Sequence, residues 1–340
     1  MFSCEEAGSK PASVAEWNQL LRPYAVPATL RSLSQLTITL GLFFAGFVGM
    51  LLVDRYFGYW AALPIALPTG LFLVRIFIIQ HDCGHHSYFG QRWACDLVGR
   101  LLGVLTLTPY HWWKRDHDWH HAASGDLSRR GRGDIDTLTV REYKALPAWR
   151  RGLYRLYRNP AILFGIGPLF QFLVRHRLPL NLRKHDRKSL MSILLNNLAI
   201  AGLVGTAGLF LGFGRFSAIW LPMMAVAATA GMWMFFVQHQ FETTYWAERS
   251  GWSFVSAALK GCSYYRLPRP LEWLTGYIGY HHIHHLASRI PNYRLPVCFN
   301  NIPALREVTV ITFLQSLRCA RLALWSEEQQ RLLSFRDALA

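Results

Sequence analysis

Four long apolar runs, separated by stretches rich in arginine, lysine and histidine, set the hydropathy pattern of this 340-residue chain. The first, from about Leu33 to Val53, has roughly the 20 residues that a bilayer core requires. A polar and aromatic turn from Asp54 to Trp60 follows, and the second run, about Ala61 to Gln80, brings the chain back. Pro64 and Pro68 fall inside that run, which a membrane helix tolerates because neighbouring helices satisfy the freed backbone groups. The third and fourth runs, about Met191 to Phe213 and Phe216 to Val237, are joined by Gly212-Phe213-Gly214-Arg215. The pattern therefore predicts two helical hairpins in a membrane. Between Leu97 and Thr108 lies an apolar run too short to span, which predicts a re-entrant or interfacial helix. From His111 to Lys188 the chain is basic and polar apart from Ala161 to Val174; this predicts a cap whose apolar segment lies on the membrane or covers a site.

Composition agrees with the pattern. A hydrophobic content of 52% and a mean hydropathy of +0.15 exceed what a soluble fold carries, so the formal charge of +16 must sit in the loops. Basic residues flanking apolar runs fit anionic lipid headgroups, and no nucleic-acid partner is expected. Two hairpins place both termini and every histidine-rich segment on one side, and the arginines and lysines between Lys114 and Lys188 make that side cytoplasmic. Met1 to Lys10 is polar and includes Glu5 and Glu6, unlike a signal peptide. The six cysteines lack C-x-x-C spacing and read as reduced. The expected fold is an all-α integral membrane protein with four transmembrane helices in two hairpins, interfacial helices and a cytoplasmic helical cap. One domain is expected over residues 1–340: a cytoplasmic N-terminal segment (1–32), a core (33–310) and a cytoplasmic C-terminal helix (311–340).

Candidate chemistry lies in three histidine clusters. His281, His284 and His285 stand at i, i+3 and i+4, as do His117, His120 and His121, so on a helix each trio shares a face; His81 and His85 form an i, i+4 pair. Crowded imidazoles repel one another when protonated, whereas a bound metal holds them neutral. These eight histidines are too many for one ion, since a catalytic zinc takes three protein ligands, and suit two. Imidazole serves zinc, copper, iron and nickel, so residue type leaves the metal open. His111, His176 and His185 lack such company and read as surface or headgroup histidines.

The boxes His81-x-x-x-His85, His117-x-x-His120-His121 and His281-x-x-His284-His285 resemble those of the membrane fatty acid desaturases. His81-Asp82-Cys83-Gly84-His85, Gly133-Asp134-Ile135-Asp136-Thr137, Val237-Gln238-His239-Gln240-Phe241-Glu242 and His284-His285-Leu286 with Arg289-Ile290-Pro291-Asn292-Tyr293 resemble the acyl-lipid omega-6 (delta-12) type. The resemblance runs from about residue 33 to 310 and implies two iron ions held by the box histidines and one more, in whose place His239 stands. His86 ranks behind those nine ligands. Glu242, three residues after His239, is a candidate for orienting a ligand, and Asp82 and Asp118 are similar candidates. The resemblance further implies dioxygen as co-substrate and removal of two hydrogens from neighbouring methylenes, leaving a cis double bond and water.

The acyl chain of a membrane lipid would occupy an apolar tunnel. Trp112 and Trp113 are candidates for its lining, although aromatics near an interface ordinarily serve as belt or packing residues. The sequence carries no dinucleotide fingerprint, iron–sulfur cysteine set or His-Pro-Gly-Gly haem segment, so electrons come from an external donor, which the resemblance makes ferredoxin-like. The basic run Arg129-Arg130-Gly131-Arg132 would steer an acidic donor or grip lipid headgroups. The expected location is a bacterial inner membrane with the boxes on the cytoplasmic side. Two other readings compete. A histidine-box hydroxylase or ketolase shares the ligands and differs in outcome. A non-catalytic membrane metal-binding or transport protein would carry ionisable residues along its spans, where this chain offers Arg75 near one end and Asn196-Asn197.

Overall fold

The computed structural model describes residues 13–180, 182 and 186–340. It opens with α1 (Val14–Leu21), held at its start by a reciprocal cap in which the Ser13 hydroxyl accepts the Glu16 N–H and the Glu16 carboxylate accepts the Ser13 N–H. Among the described residues, four helices are long and apolar enough to cross a membrane: α2 (Thr29–Phe57), α3 (Tyr59–Gly84), α9 (Arg187–Leu211) and α10 (Phe213–His239). They form the two expected hairpins, but each reverses on a single residue. Gly58 (φ 88°) joins α2 to α3, and Gly212 (φ 79°) joins α9 to α10. Helix runs up to the turn from both sides, and only glycine takes the left-handed backbone there without strain. The turns expected over 54–60 and 212–215 are thus shorter, and Phe213 begins α10 instead of ending α9. Beside the glycines, Arg215 reaches across to Asp54 (Nε to Oδ2, 2.7 Å) and donates to the Leu51 carbonyl at 2.9 Å.

At their other ends the spanning helices outlast the apolar runs. α3 continues through Pro64 and Pro68 to Gly84 and carries His81 in its last turn; α10 ends on His239. α3 packs along both α2 and α10. It lies close against α10 at Gly70, where an added Cβ would lie 2.7 Å from both the Met223 carbonyl oxygen and Val226 Cβ. Arg75 of α3 is buried, donating to Thr39 Oγ1 at 3.1 Å and stacking on the Trp273 ring at 4.3 Å.

The remaining elements cluster at the histidine-bearing ends. α4 (Arg92–Leu105) exposes Trp93, Leu97 and Leu101 along one face and buries Cys95, Gly99 and Leu102, extending the short helix expected there. α5 (Tyr110–Ala123) follows, then β1 (Leu138–Thr139), α6 (Val140–Ala145) and α7 (Ala148–Tyr157), and a π-helical turn at Ile162–Ile166 that runs into α8 (Gly167–Leu173). After α10 come α11 (Phe254–Lys260), β2 (Tyr264–Arg266), α12 (Arg269–Leu274), α13 (His281–Leu286), α14 (Leu295–Asn301) and β3 (Val310–Thr312), which pairs in parallel with β2. Trp17 and Leu21 of α1 pack among Ile283, Leu286 and Leu295, so the N-terminal helix braces α13.

Residues 311–340 correct the expectation of a C-terminal helix. α15 (Phe313–Cys319) is followed by the antiparallel pair β4 (Leu322–Ser326) and β5 (Arg331–Ser334), and then by α16 (Phe335–Leu339). β4 also pairs in parallel with β1, Leu138 opposite Leu324. Ala323, Leu324, Trp325 and Ser326 are buried in succession, a demand that a strand covered on both faces meets and a helix, spreading neighbours around its axis, does not.

His176 is a second correction. It is 3% exposed, with Nδ1 3.2 Å from the Leu107 carbonyl and its ring against Trp112 and Phe172. Leu107 has φ 53°, and its carbonyl, turned inward, needs a buried donor that Arg177 and His176 supply. Burial pushes the His176 imidazole down to about 3, so it stays neutral. His111 is partly buried, its ring accepting from Arg100, and His185 lies outside the described residues. The five described cysteines are free and buried; Cys4 lies outside the described residues.

Gly70→Ala is expected to destabilise the protein by about 1–3 kcal/mol through overpacking at the α3–α10 contact. Gly49→Ala in α2, where an added Cβ meets nothing within 4 Å, is expected to leave the melting temperature unchanged or raise it. Thermal melts of the detergent-solubilised variants check the pair; equal melting temperatures would contradict the close contact.

Candidate metal centre

Four helices deliver the histidines, each near an end. α3 places His81 in its final turn, with His85 as the residue that caps it. His86 then takes φ 52°, and the reversal carries its ring away to Asp96, with Nε2 3.0 Å from Oδ1. α5 presents His117, His120 and His121 on one face, α13 presents His281, His284 and His285, and α10 contributes His239. On α13, His282 points the other way, against Tyr264 and Phe299.

The nine rings meet in two groups. His81, His85, His117, His121 and His284 form one; His120, His239, His281 and His285 form the other; within each, the available ring nitrogens lie within 4.8 Å of one another. α5 and α13 each supply both groups, because the i+3 and i+4 positions diverge on either side of the helix face. In the first group Nε2 atoms approach at 3.0 Å (His85–His117), 3.1 Å (His117–His121) and 3.0 Å (His121–His284). In the second they approach at 3.1 Å (His120–His239), 3.2 Å (His120–His285) and 2.9 Å (His239–His281). A neutral imidazole has one N–H, so converging Nε2 atoms cannot all find a donor among themselves. A cation at the centre of each group satisfies every one of them, and the donor set fits a divalent transition metal.

The outward nitrogens fix which way the lone pairs face. His81 Nδ1 lies 3.3 Å from Asp82 Oδ1, and Asp82 Oδ2 accepts the backbone N–H (2.7 Å) and side-chain amide (2.9 Å) of Asn292, whose own oxygen accepts from Gln35 at 2.9 Å. His120 Nδ1 bonds the Asp134 carboxylate. An N–H donated outward leaves the Nε2 lone pair directed at the centre. Burial, followed by the neighbouring imidazoles, holds His117, His121, His281, His284 and His285 well below the usual 6.5, and the same causes act on His85.

Of the candidate carboxylates, Asp82 alone touches a histidine of the two groups. Asp118, 49% exposed, pairs with Lys114 at 2.7 Å. Glu242, 60% exposed, pairs with Arg331 at 2.8 Å; α10 stops at His239, so three residues later the chain has left the helical path that would have aligned the two. Asp134 is the partner that sequence reasoning missed. Its signal is the glycine before it: Gly133 has φ 75°, and a Cβ there would lie 2.7 Å from the Asp116 carbonyl oxygen and 3.2 Å from His120 Cβ, so only glycine brings this loop against α5.

A cavity of about 490 Å³ runs past His81, His117 and His281. Its rim includes Asp136 and Arg175, and its far end lies between α3 and α10. Trp112 and Trp113 line it, and Trp113 stacks on His117 with ring centroids 4.6 Å apart, which places both tryptophans at the cavity instead of in an interfacial belt.

With this geometry, comparison with known proteins is informative. The sequence profile of the family described as fatty acid desaturase matches residues 58–313. The chain is 42% identical over 314 residues to a fatty acid desaturase of Bacillus subtilis (strain 168), covering 92% of this chain and 88% of that one. It is 30% identical to an sn-1 oleoyl-lipid 12-desaturase of Synechocystis sp., over 78% of this chain and 74% of the other. An sn-1 acyl-lipid omega-3 desaturase (ferredoxin) of Nostoc sp. is 29% identical over 72% of this chain and 68% of its own length. A helical membrane fold, two histidine groups and a match across three quarters of its length make this chain a member of the fatty acid desaturase family, an oxidoreductase acting on acyl lipids.

Proposed function

We propose that the two histidine groups hold two iron ions and that the chain, with dioxygen as co-substrate, introduces a cis double bond into an acyl chain of a membrane lipid, in the omega-6 (delta-12) manner. The observation that carries the reading is the division of nine histidines into groups of five and four beside an apolar cavity. Iron supplies the step that no side chain can perform, removal of hydrogen from an unactivated methylene. The protein's contribution is position and dryness. Phe77, Trp113 and Ile78 wall the cavity next to His81 and hold a chain there away from water. Asp82 and Asp134 keep two imidazoles oriented, and His239 completes the second group.

Electrons come from a ferredoxin-like donor in this reading, in keeping with the donor named for the Nostoc relative. Arg129 and Arg132 lie 4.6 and 5.5 Å from the Trp119 ring, one residue from His120, and offer an acidic protein a basic face near the centre. The basic region from Lys114 to Lys188 supports a cytoplasmic orientation in a bacterial inner membrane.

Expression in a host without polyunsaturated fatty acids tests the activity. The wild type is expected to yield an acyl product lighter by two hydrogens, whereas an added oxygen would identify a hydroxylase. His284→Ala and His281→Ala, one from each group, are expected to abolish the product and each to lower bound iron; zinc in place of iron, or full activity in either variant, would overturn the assignment.

Asp134→Ala is expected to weaken metal retention by about 10- to 100-fold, the usual effect of removing a carboxylate that orients a histidine ligand. The pH dependence follows from the buried imidazoles. Their folded values lie below the ordinary 6.5, so as pH falls through 6.5 the unfolded chain binds protons that the folded one does not, and stability drops. Metal-free stability should therefore be complete above pH 6.5 and decline below it, a profile that thermal melts will show directly.

A further inference from the structure

The membrane-side half of the cavity is an arm between the two central spanning helices. Leu73 on α3 stands eight residues before His81, and Gly231 on α10 stands eight before His239. At ~1.5 Å per residue, both lie about 12 Å below the histidines. Met224, Ala227 and Ala228 line the arm deeper on α10. The lining residues furthest from the histidines are Leu73 on α3 and Met224 on α10; Gly70, packed against the Met223 carbonyl and Val226, is not among them. At its other end the cavity runs past His81, His117 and His281.

Gly231 stands out in this wall. Glycine is a poor residue for a helix interior, and its use there calls for a reason. Packing supplies that reason at Gly70, but an added Cβ at position 231 meets nothing within 4 Å. Gly202 and Gly205 on α9 are equally unobstructed and line no cavity; among the described glycines of the four spanning helices, Gly231 is the one that does. The volume that a side chain would take at 231 is the volume of the arm.

We propose that Gly231 determines how long an acyl segment fits beyond the metal groups: its missing side chain leaves the arm open as far as Ala227 and Met224, and any larger residue raises the floor toward Leu73. This rests on the reading that the cavity holds an acyl chain. Methylenes denied the arm lose their apolar burial, and discrimination of ~10-fold or more between chain lengths is expected from such a pocket.

The test uses the full-length protein in lipid nanodiscs, with phosphatidylglycerols carrying myristoyl, palmitoyl or stearoyl chains. Retained lipid and acyl products are both read by mass spectrometry for wild type, Gly231→Ala and Gly231→Leu, alongside iron content and melting temperature. Gly231→Leu is expected to shift the stearoyl-to-myristoyl ratio at least ~10-fold toward the shorter chain in both readouts. Gly231→Ala, which adds one carbon to open space and favours the helix, is expected to shift it less in the same direction. Leu73→Ala combined with Gly231→Leu, relieving the same depth from the facing helix, should move the ratio back. Retention profiles of the Ala and Leu variants that superpose on the wild type would overturn the proposal, as would an equal loss at all lengths with iron and melting temperature intact. An oxygenated product, or none, would count against the desaturase reading, while the retention ladder would still report on Gly231.

Discussion

Converging the lone pairs of nine imidazoles in a space with little water is unfavourable until a cation occupies the centre, and the scaffold has to resist that repulsion. It does so by mounting the rings on helix ends whose other faces are already committed. α13 is pinned by Trp17 and Leu21 of α1, α3 by its neighbours α2 and α10, and the α5 face by the loop that Gly133 brings alongside. The chain Gln35–Asn292–Asp82–His81 joins a spanning helix, the segment after α13 and a histidine of the first group in one line of hydrogen bonds. A ring that moved would have to break one of these, so the groups persist as a preformed site.

The spanning helices and the three histidine boxes were legible in the sequence because each obeys a local period: runs of apolar residues for the spans, and i, i+3, i+4 spacing for the histidines. What escaped was set by tertiary contact. The pairing of β1 with β4, some 186 residues apart as Leu138 opposite Leu324, has no local signature, and an apolar stretch such as Leu322–Ser326 suits helix and strand equally. Glu242 looked well placed at three residues from His239 because the helix was assumed to continue; Asp134 lay in a recognisable motif, but its partner His120 is fourteen residues earlier on another element. His176 was read as exposed for want of neighbours in sequence, although its neighbours are Leu107 and Trp112.

The two hairpins also differ in how much of the cavity each builds. α3 and α10 supply its membrane-side walls and the histidines at its upper end, while α2 and α9 present mostly outward leucines and phenylalanines. The outer pair shields the cavity laterally, while Gln35 and Thr39 on the inner face of α2 hold Asn292 and Arg75 in place.

Gly58 and Gly212 have a consequence for how such a chain gets into a bilayer. Because each hairpin reverses on one residue, almost nothing polar has to be carried through the apolar layer during insertion. The ionisable cargo near the two turns is Asp54, Arg55 and Arg215, and two of those three end as a pair at 2.7 Å. Such hairpins carry no loop of more than one residue between their helices, and on the side away from the histidines they leave four helix ends.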